Sequence, residues 1–134
     1  MMYLVDANVW LERLLEQERF DDVRRFLDVT QSSHLFITDF SFHSIGLILT
    51  RLGKARILLN FVQDSFLEGA VSLIHLAPED TEAIVNAMQQ FRLDFDDAYQ
   101  YVAAEKHNLV LVSFDTDFDR TDKGRKTPQA ALQR

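Results

Sequence analysis

The stretch Leu109-Val110-Leu111-Val112-Ser113-Phe114-Asp115-Thr116-Asp117 is an apolar strand that runs directly into two carboxylates. The chain opens the same way, with Tyr3-Leu4-Val5 ending on Asp6. Short apolar runs bounded by polar residues read as buried strands. Upstream of the first stretch, Leu93-Asp94-Phe95-Asp96-Asp97-Ala98 sets three more carboxylates at the start of a helix that continues to about His107. Ala98, Val102 and Ala103 mark that helix's buried side. Five carboxylates around one helix and one strand repel each other, and a cation among them is the natural remedy.

Working outward, Val9, Trp10, Leu14 and Leu15, then Phe20, Val23, Phe26 and Leu27, recur at helical spacing and predict two helices broken near Glu16-Gln17-Glu18. Leu35-Phe36-Ile37 is a second strand, after which Thr38 or Asp39 caps a helix that runs to about Leu52 and stops at Gly53. An amphipathic helix from Ala55 to Leu67 closes at Glu68-Gly69, a strand spans Val71 to Leu76, and Pro78 opens a helix over roughly Glu79 to Gln90. Strands alternating with helices pair in parallel. The expectation is an α/β fold, a three-layer α/β/α sandwich around a central, mainly parallel sheet of four to five strands, with residues 1–134 forming a single domain. Ligands of such folds bind beyond the carboxyl ends of the strands, where Asp6 and Asp115 fall. The tail after Arg120 reads as an exposed basic loop.

With 47% hydrophobic and 26% charged residues, four Gly and two Pro, the composition is that of a folded chain. The absence of Cys excludes disulfides, zinc–thiolate sites and thiol nucleophiles together. No signal-like leader or membrane-length apolar run stands out, so the expectation is a cytoplasmic protein with no membrane association. A net charge of −7 argues against a uniformly basic surface. An acidic metal site itself contributes that bias, so nucleic acid stays open as a partner. Mg2+ or Mn2+ prefers oxygen ligands in octahedral geometry and keeps several waters, so a few Asp side chains hold it and leave room for a phosphate oxygen and an attacking water. The reaction implied is phosphodiester hydrolysis.

Leu4-Val5-Asp6-Ala7-Asn8-Val9-Trp10, Leu93-Asp94-Phe95-Asp96-Asp97-Ala98-Tyr99 and Leu111-Val112-Ser113-Phe114-Asp115-Thr116-Asp117-Phe118 together resemble, in order and spacing, the three principal motifs of PIN-domain ribonucleases, particularly the VapC-type toxins of toxin–antitoxin pairs. The resemblance runs from the first strand to Phe118. It implies a Mg2+- or Mn2+-dependent endoribonuclease acting on RNA, partnered by an antitoxin protein and often a homodimer. It further implies metal ligation and catalysis by Asp6, Asp97 and Asp115, an accessory acidic role for Asp117, and a steadying role for Asn8 beside Asp6. Asp94 and Asp96 stand as alternatives or supplements to Asp97. One position departs from the family, which places Glu on the helix after the second strand. Within Ile37-Thr38-Asp39-Phe40-Ser41-Phe42-His43-Ser44-Ile45 the register puts Ser44 there, with His43 or Asp39 as a partial substitute and His favouring Mn2+.

The same residues admit plainer roles. Asp6, Asp94 and Asp96 suit helix caps and helix N-termini. His43 can be an ordinary packed or solvated helix residue, and Phe114 and Phe118 can pack rather than stack on bases. Arg120, Lys123, Arg125 and Lys126 follow the acidic motif as candidate RNA-phosphate contacts or as a solvated loop. Two functions stand at this point: a metal-dependent ribonuclease serving as the toxin of a toxin–antitoxin pair, and a catalytically weakened or inactive module that binds RNA or protein without cleaving it.

Overall fold

The computed structural model describes residues 1–133. Strand Tyr3–Val5 (β1) passes through Asp6 into helix Ala7–Leu14 (α1), and after a left-handed residue at Glu16 comes helix Phe20–Val29 (α2). Strand Leu35–Thr38 (β2) leads into helices Asp39–Arg51 (α3) and Ala55–Val62 (α4), then strand Ser72–Ile74 (β3). Helices Thr81–Phe91 (α5) and Phe95–Lys106 (α6) precede strand Val110–Val112 (β4), and Pro128–Leu132 (α7) is the last helix described.

The strands form one sheet in the order β3-β2-β1-β4, and every pairing is parallel. Tyr3 lies opposite Leu35 and Val110, Leu4 opposite Phe36 and Leu111, and Val5 opposite Val112. Side chains two apart therefore share a face. Tyr3, Val5, Leu35, Ile37 and Val112 join a core with α1, α2, α3, α4 and α7, whereas Leu4 and Leu111 join the opposite core with α5 and α6. This is the expected three-layer sandwich, with four strands, all of them parallel. The chain first travels from β1 outward to β3, then returns to place β4 on the other flank of β1. The strand order reverses between β1 and β4, so a crevice opens at their carboxyl ends.

Several boundaries differ from the sequence expectation for local reasons. The helix from Ala55 widens at its end into a π turn over Gln63–Leu67, closed by the Glu68 N–H on the Gln63 carbonyl at 2.9 Å. The strand expected over Val71 to Leu76 is confined to Ser72–Ile74, because the Leu76 N–H turns to the Tyr99 hydroxyl at 2.8 Å. The helix expected from Glu79 opens with a 3-10 turn, Pro78–Asp80. The basic tail is not a free loop, since the Lys126 N–H bonds the Leu111 carbonyl at 2.8 Å and its carbonyl accepts from Ser113 N–H at 3.0 Å. That short parallel bridge covers the open edge of β4.

Gly69 closes the π turn without a left-handed backbone, and its constraint is steric. A Cβ there would lie 2.6 Å from the Ser65 carbonyl oxygen and 2.7 Å from that of Asp64. Gly69→Ala is expected to lower stability by about 2 kcal/mol, the scale of a forced backbone shift. Urea unfolding checks it, and a midpoint equal to that of the parent would show that the turn yields freely.

Candidate functional site

Asp6 is the first residue past β1, and its backbone N–H continues the ladder to the Val112 carbonyl at 2.9 Å. Its carboxylate caps α1 through the Ala7 N–H at 2.8 Å. The same oxygen accepts from Gln100 Nε2 at 3.1 Å, and the other accepts from the Ser113 hydroxyl at 2.7 Å. Burial pushes the Asp6 carboxyl above its ordinary range, the three donors oppose that, and the Asp115 charge adds to it.

The turn after β4 is built on Ser113, which is fully buried. Its hydroxyl oxygen accepts from the Asp115 N–H at 3.0 Å and from Asn8 Nδ2 at 3.3 Å, while Asn8 Oδ1 accepts from the Phe114 N–H at 3.3 Å. Asn8 thus ties the start of α1 to the turn that carries Asp115. Asp115 in turn caps the 3-10 turn Thr116–Arg120 by accepting from the Asp117 N–H at 2.8 Å.

Asp97 stands in the first turn of α6, nearly buried. Asp97, Asp115 and Asp117 each present a carboxylate oxygen, and these oxygens lie within 4.8 Å of one another. Burial, then the charges of Asp115, Asp96 and Asp6 and a hydrogen bond with Asp115, push the Asp97 carboxyl up to about 7. In an octahedral site with bonds of ~2.1 Å, opposite ligands stand ~4.2 Å apart. Three hard oxygen donors within 4.8 Å of one another suit a hard divalent cation such as Mg2+ or Mn2+ in type and span. The close set thus includes Asp117, expected only as accessory, while Asp6 lies beside it with both oxygens engaged.

The supplementary residues separate. Asp94 is the N-cap residue of α6, exposed and without a side-chain capping hydrogen bond, so of the capping and solvated roles open to it the carboxylate takes the solvated one. Asp96 is exposed and acts on the site through its charge on Asp97. On α3, Ser44 lies one turn after the buried Ser41 and one turn before Ile48, which lines a cleft with Asn8 and Asp115. This places Ser44 on the stripe that leads to the site, with no acid there. His43 is exposed on the neighbouring stripe, and Asp39 is held by the Tyr99 hydroxyl at 2.8 Å.

The basic residues also separate. Arg120 is drawn inward, with Nε on the Phe91 carbonyl at 2.9 Å, Nη2 on the Arg92 carbonyl and Nη1 on Asp117 at 3.0 Å. It braces the left-handed residue Arg92 that ends α5. Arg125 forks onto Asp119 at 3.1 and 3.2 Å and donates to the Ser113 carbonyl at 3.1 Å. Both guanidinium groups hold the acidic turn in place. Lys123 is exposed, and Lys126 is half-buried with its backbone in the sheet bridge.

Gln100 is the residue that sequence reasoning missed. It is buried three positions after Asp97, accepts from the Thr38 hydroxyl at 2.6 Å, and donates to Ser41 Oγ at 2.8 Å as well as to Asp6. Its one visible signal is an amide in the otherwise apolar buried run Ala98 to Ala104.

The PIN domain family model matches residues 3–124. No curated protein matches the chain in sequence. Among solved structures, a toxin–antitoxin complex from Klebsiella pneumoniae is similar with a TM-score of 0.75 at 19% identity, over 94% of this chain and 97% of that one. VapC20 of Mycobacterium tuberculosis, a sarcin–ricin-loop-cleaving toxin, is similar with a TM-score of 0.73 at 16% identity, over 87% and 92% of the two chains. VapBC2 of Rickettsia felis, bound to a DNA fragment from its promoter, gives a TM-score of 0.73 at 12% identity, over 94% and 97%. At these identities the likeness is one of fold.

Proposed function

Because the chain belongs to the PIN domain family, we propose that it is a divalent-metal-dependent endoribonuclease that hydrolyses RNA phosphodiesters and serves as the toxin of a toxin–antitoxin pair. The carrying observation is the convergence of Asp97, Asp115 and Asp117 within 4.8 Å at the crevice between β1 and β4. A toxin–antitoxin complex and a toxin that cleaves the sarcin–ricin loop share the fold, which supports an antitoxin partner and an RNA substrate. In this reading the whole chain works as one domain in the cytoplasm, and a homodimer is compatible with it. Among the described residues no helix is long and apolar enough to cross a membrane.

The chain's own residues have distinct tasks in this mechanism. Asp97, Asp115 and Asp117 would hold a divalent cation, with Asp6 as the adjoining fourth carboxylate. When bound, Mg2+ or Mn2+ supplies Lewis acidity toward the phosphodiester and makes water a better nucleophile at neutral pH. Burial and the neighbouring carboxylates raise the Asp97 carboxyl to about 7, and a bound cation would favour its charged form. Ser113, Gln100 and the Ala7 N–H keep Asp6 oriented, while Asn8 and Arg125 fix the turn that aims Asp115.

The serine at position 44 favours a second reading, in which the chain binds RNA or protein without cutting it. The two separate in one assay. Single-stranded RNA incubated with EDTA-treated protein is expected to be cut only after Mg2+ or Mn2+ is restored, and not by Asp115→Asn. RNA retained intact under every metal condition, with binding preserved, would leave the second reading.

A further inference from the structure

The cleft beside the acidic cluster is lined in part by Arg19, whose guanidinium makes no ion pair among the described residues. It encloses about 480 Å3, within the ~300–1,000 Å3 typical of ligand clefts, and Asn8, Leu11, Ile48, Phe114, Asp115 and Arg19 line it. The Arg19 guanidinium carbon stands 4.0 Å from the centroid of the Phe114 ring. Both partners are held. The Arg19 backbone N–H donates to the carboxylate of the buried Glu12, and the Phe114 N–H donates to Asn8. Among the described residues the Arg19 guanidinium makes no hydrogen bond or ion pair, in contrast to Arg120 and Arg125.

A guanidinium seated over an aromatic face keeps the donors at its rim available to an anion. Phe114 is the residue immediately before Asp115, so the cation stands at the threshold of the acidic cluster. A polyanionic strand that approaches a chain of net charge −7 at its most acidic point needs such a counter-charge. The paired ring and guanidinium also offer a surface to an unstacked base, a contact that a paired base inside a duplex does not make.

We infer that Arg19, laid on Phe114, is a substrate-positioning residue that clamps the phosphate and base of a nucleotide next to the cleavage point in an unpaired RNA strand. This rests on the ribonuclease reading above. Arg19→Ala leaves the backbone N–H bond to Glu12 in place, so the fold is kept.

The test measures binding of a short, unstructured, fluorescein-labelled oligoribonucleotide by anisotropy in Ca2+ buffer across a KCl series, beside cleavage rates in Mg2+. Arg19→Ala is expected to bind about tenfold more weakly, with a log–log salt dependence shallower by about 0.7, the value of one single-strand phosphate contact. Its cleavage loss falls in KM more than in kcat. Arg19→Lys restores the salt dependence but only part of the affinity, because it keeps the charge and loses the planar stack. Unchanged affinity and salt dependence in Arg19→Ala, with cleavage by the parent intact, overturns the clamp and leaves the ribonuclease reading standing. A parent protein that neither binds nor cuts the RNA overturns both.

Discussion

Replacing Asp97 with Asn is expected to stabilise the metal-free protein at about pH 8 by ~2 kcal/mol, or about 6 °C in melting temperature, while lowering RNA cleavage about a thousandfold. The folded chain holds the Asp97 proton up to about pH 7, whereas the unfolded chain releases it near the ordinary value of 3.8. Between those values the folded state binds more protons, so the parent loses stability as pH rises, and the penalty is complete above about 7. A shift of this size corresponds to ~4 kcal/mol at ~1.4 kcal/mol per unit, and water in the open crevice screens it to about half. Asn carries no charge at any pH, so its melting curve lacks that slope and meets the parent's near pH ~4. A divalent cation reverses the order, because it stabilises the parent by binding the folded state and finds one carboxylate fewer in the variant. Thermal melts across pH in EDTA and in Mg2+ check both halves. Parallel pH profiles in EDTA would contradict the repulsion described at the site.

The second large effect is at Gln100. Gln100→Leu is expected to lose ~3 kcal/mol, about 10 °C, because the buried Thr38 and Ser41 hydroxyls and one oxygen of Asp6 lose their shared partner. Gln100→Glu is the sharper variant. It keeps the shape and can accept from both hydroxyls, but it sets a second carboxylate against Asp6 where an amide N–H had been. Its stability is expected to fall toward high pH and recover toward low pH, and its cleavage rate to drop ~10–100-fold, as for other partners that orient a ligand. A Gln100→Glu protein as stable as the parent above neutrality would mean that the Asp6–Gln100 contact is dispensable.

The frame of the molecule was readable in the chain because its signals are local. Tyr3-Leu4-Val5 and Val110-Leu111-Val112 are short apolar runs ended by polar residues, and Asp6 and Thr38 cap their helices through backbone groups at most three residues away. The grouping of Asp97 with Asp115 was readable because both open or close an element at the same end of the sheet. What stayed hidden depends on partners far apart in sequence. Gln100 reaches back 94 positions to Asp6 and 59 to Ser41, and Arg120 reaches 29 to the Phe91 carbonyl. Composition shows that a guanidinium is present near the acidic turn but not whether the fold has already engaged it. For the same reason Arg19, outside the basic tail, gave no signal until Phe114 was placed beneath it. The strand at Val71 to Leu76 read too long because Leu76 is apolar enough for a ladder, and only the Tyr99 hydroxyl diverts its N–H.

The sheet order also sets a schedule for biosynthesis. β1 precedes the other strands, yet one of its flanks has no neighbour until β4 has been made. Asp6 gains Ser113 only at that moment, and Asp115 gains its place beside Asp97 then as well. Pairing between strands far apart in sequence is the slow, late part of folding. A chain in which β4 has not yet been made therefore carries Asp6 and Asp97 without Asp115 and Asp117 to join them. For a protein whose proposed activity is directed at RNA, this ordering keeps the carboxylates apart until β4 and the turn that carries Asp115 and Asp117 have been made.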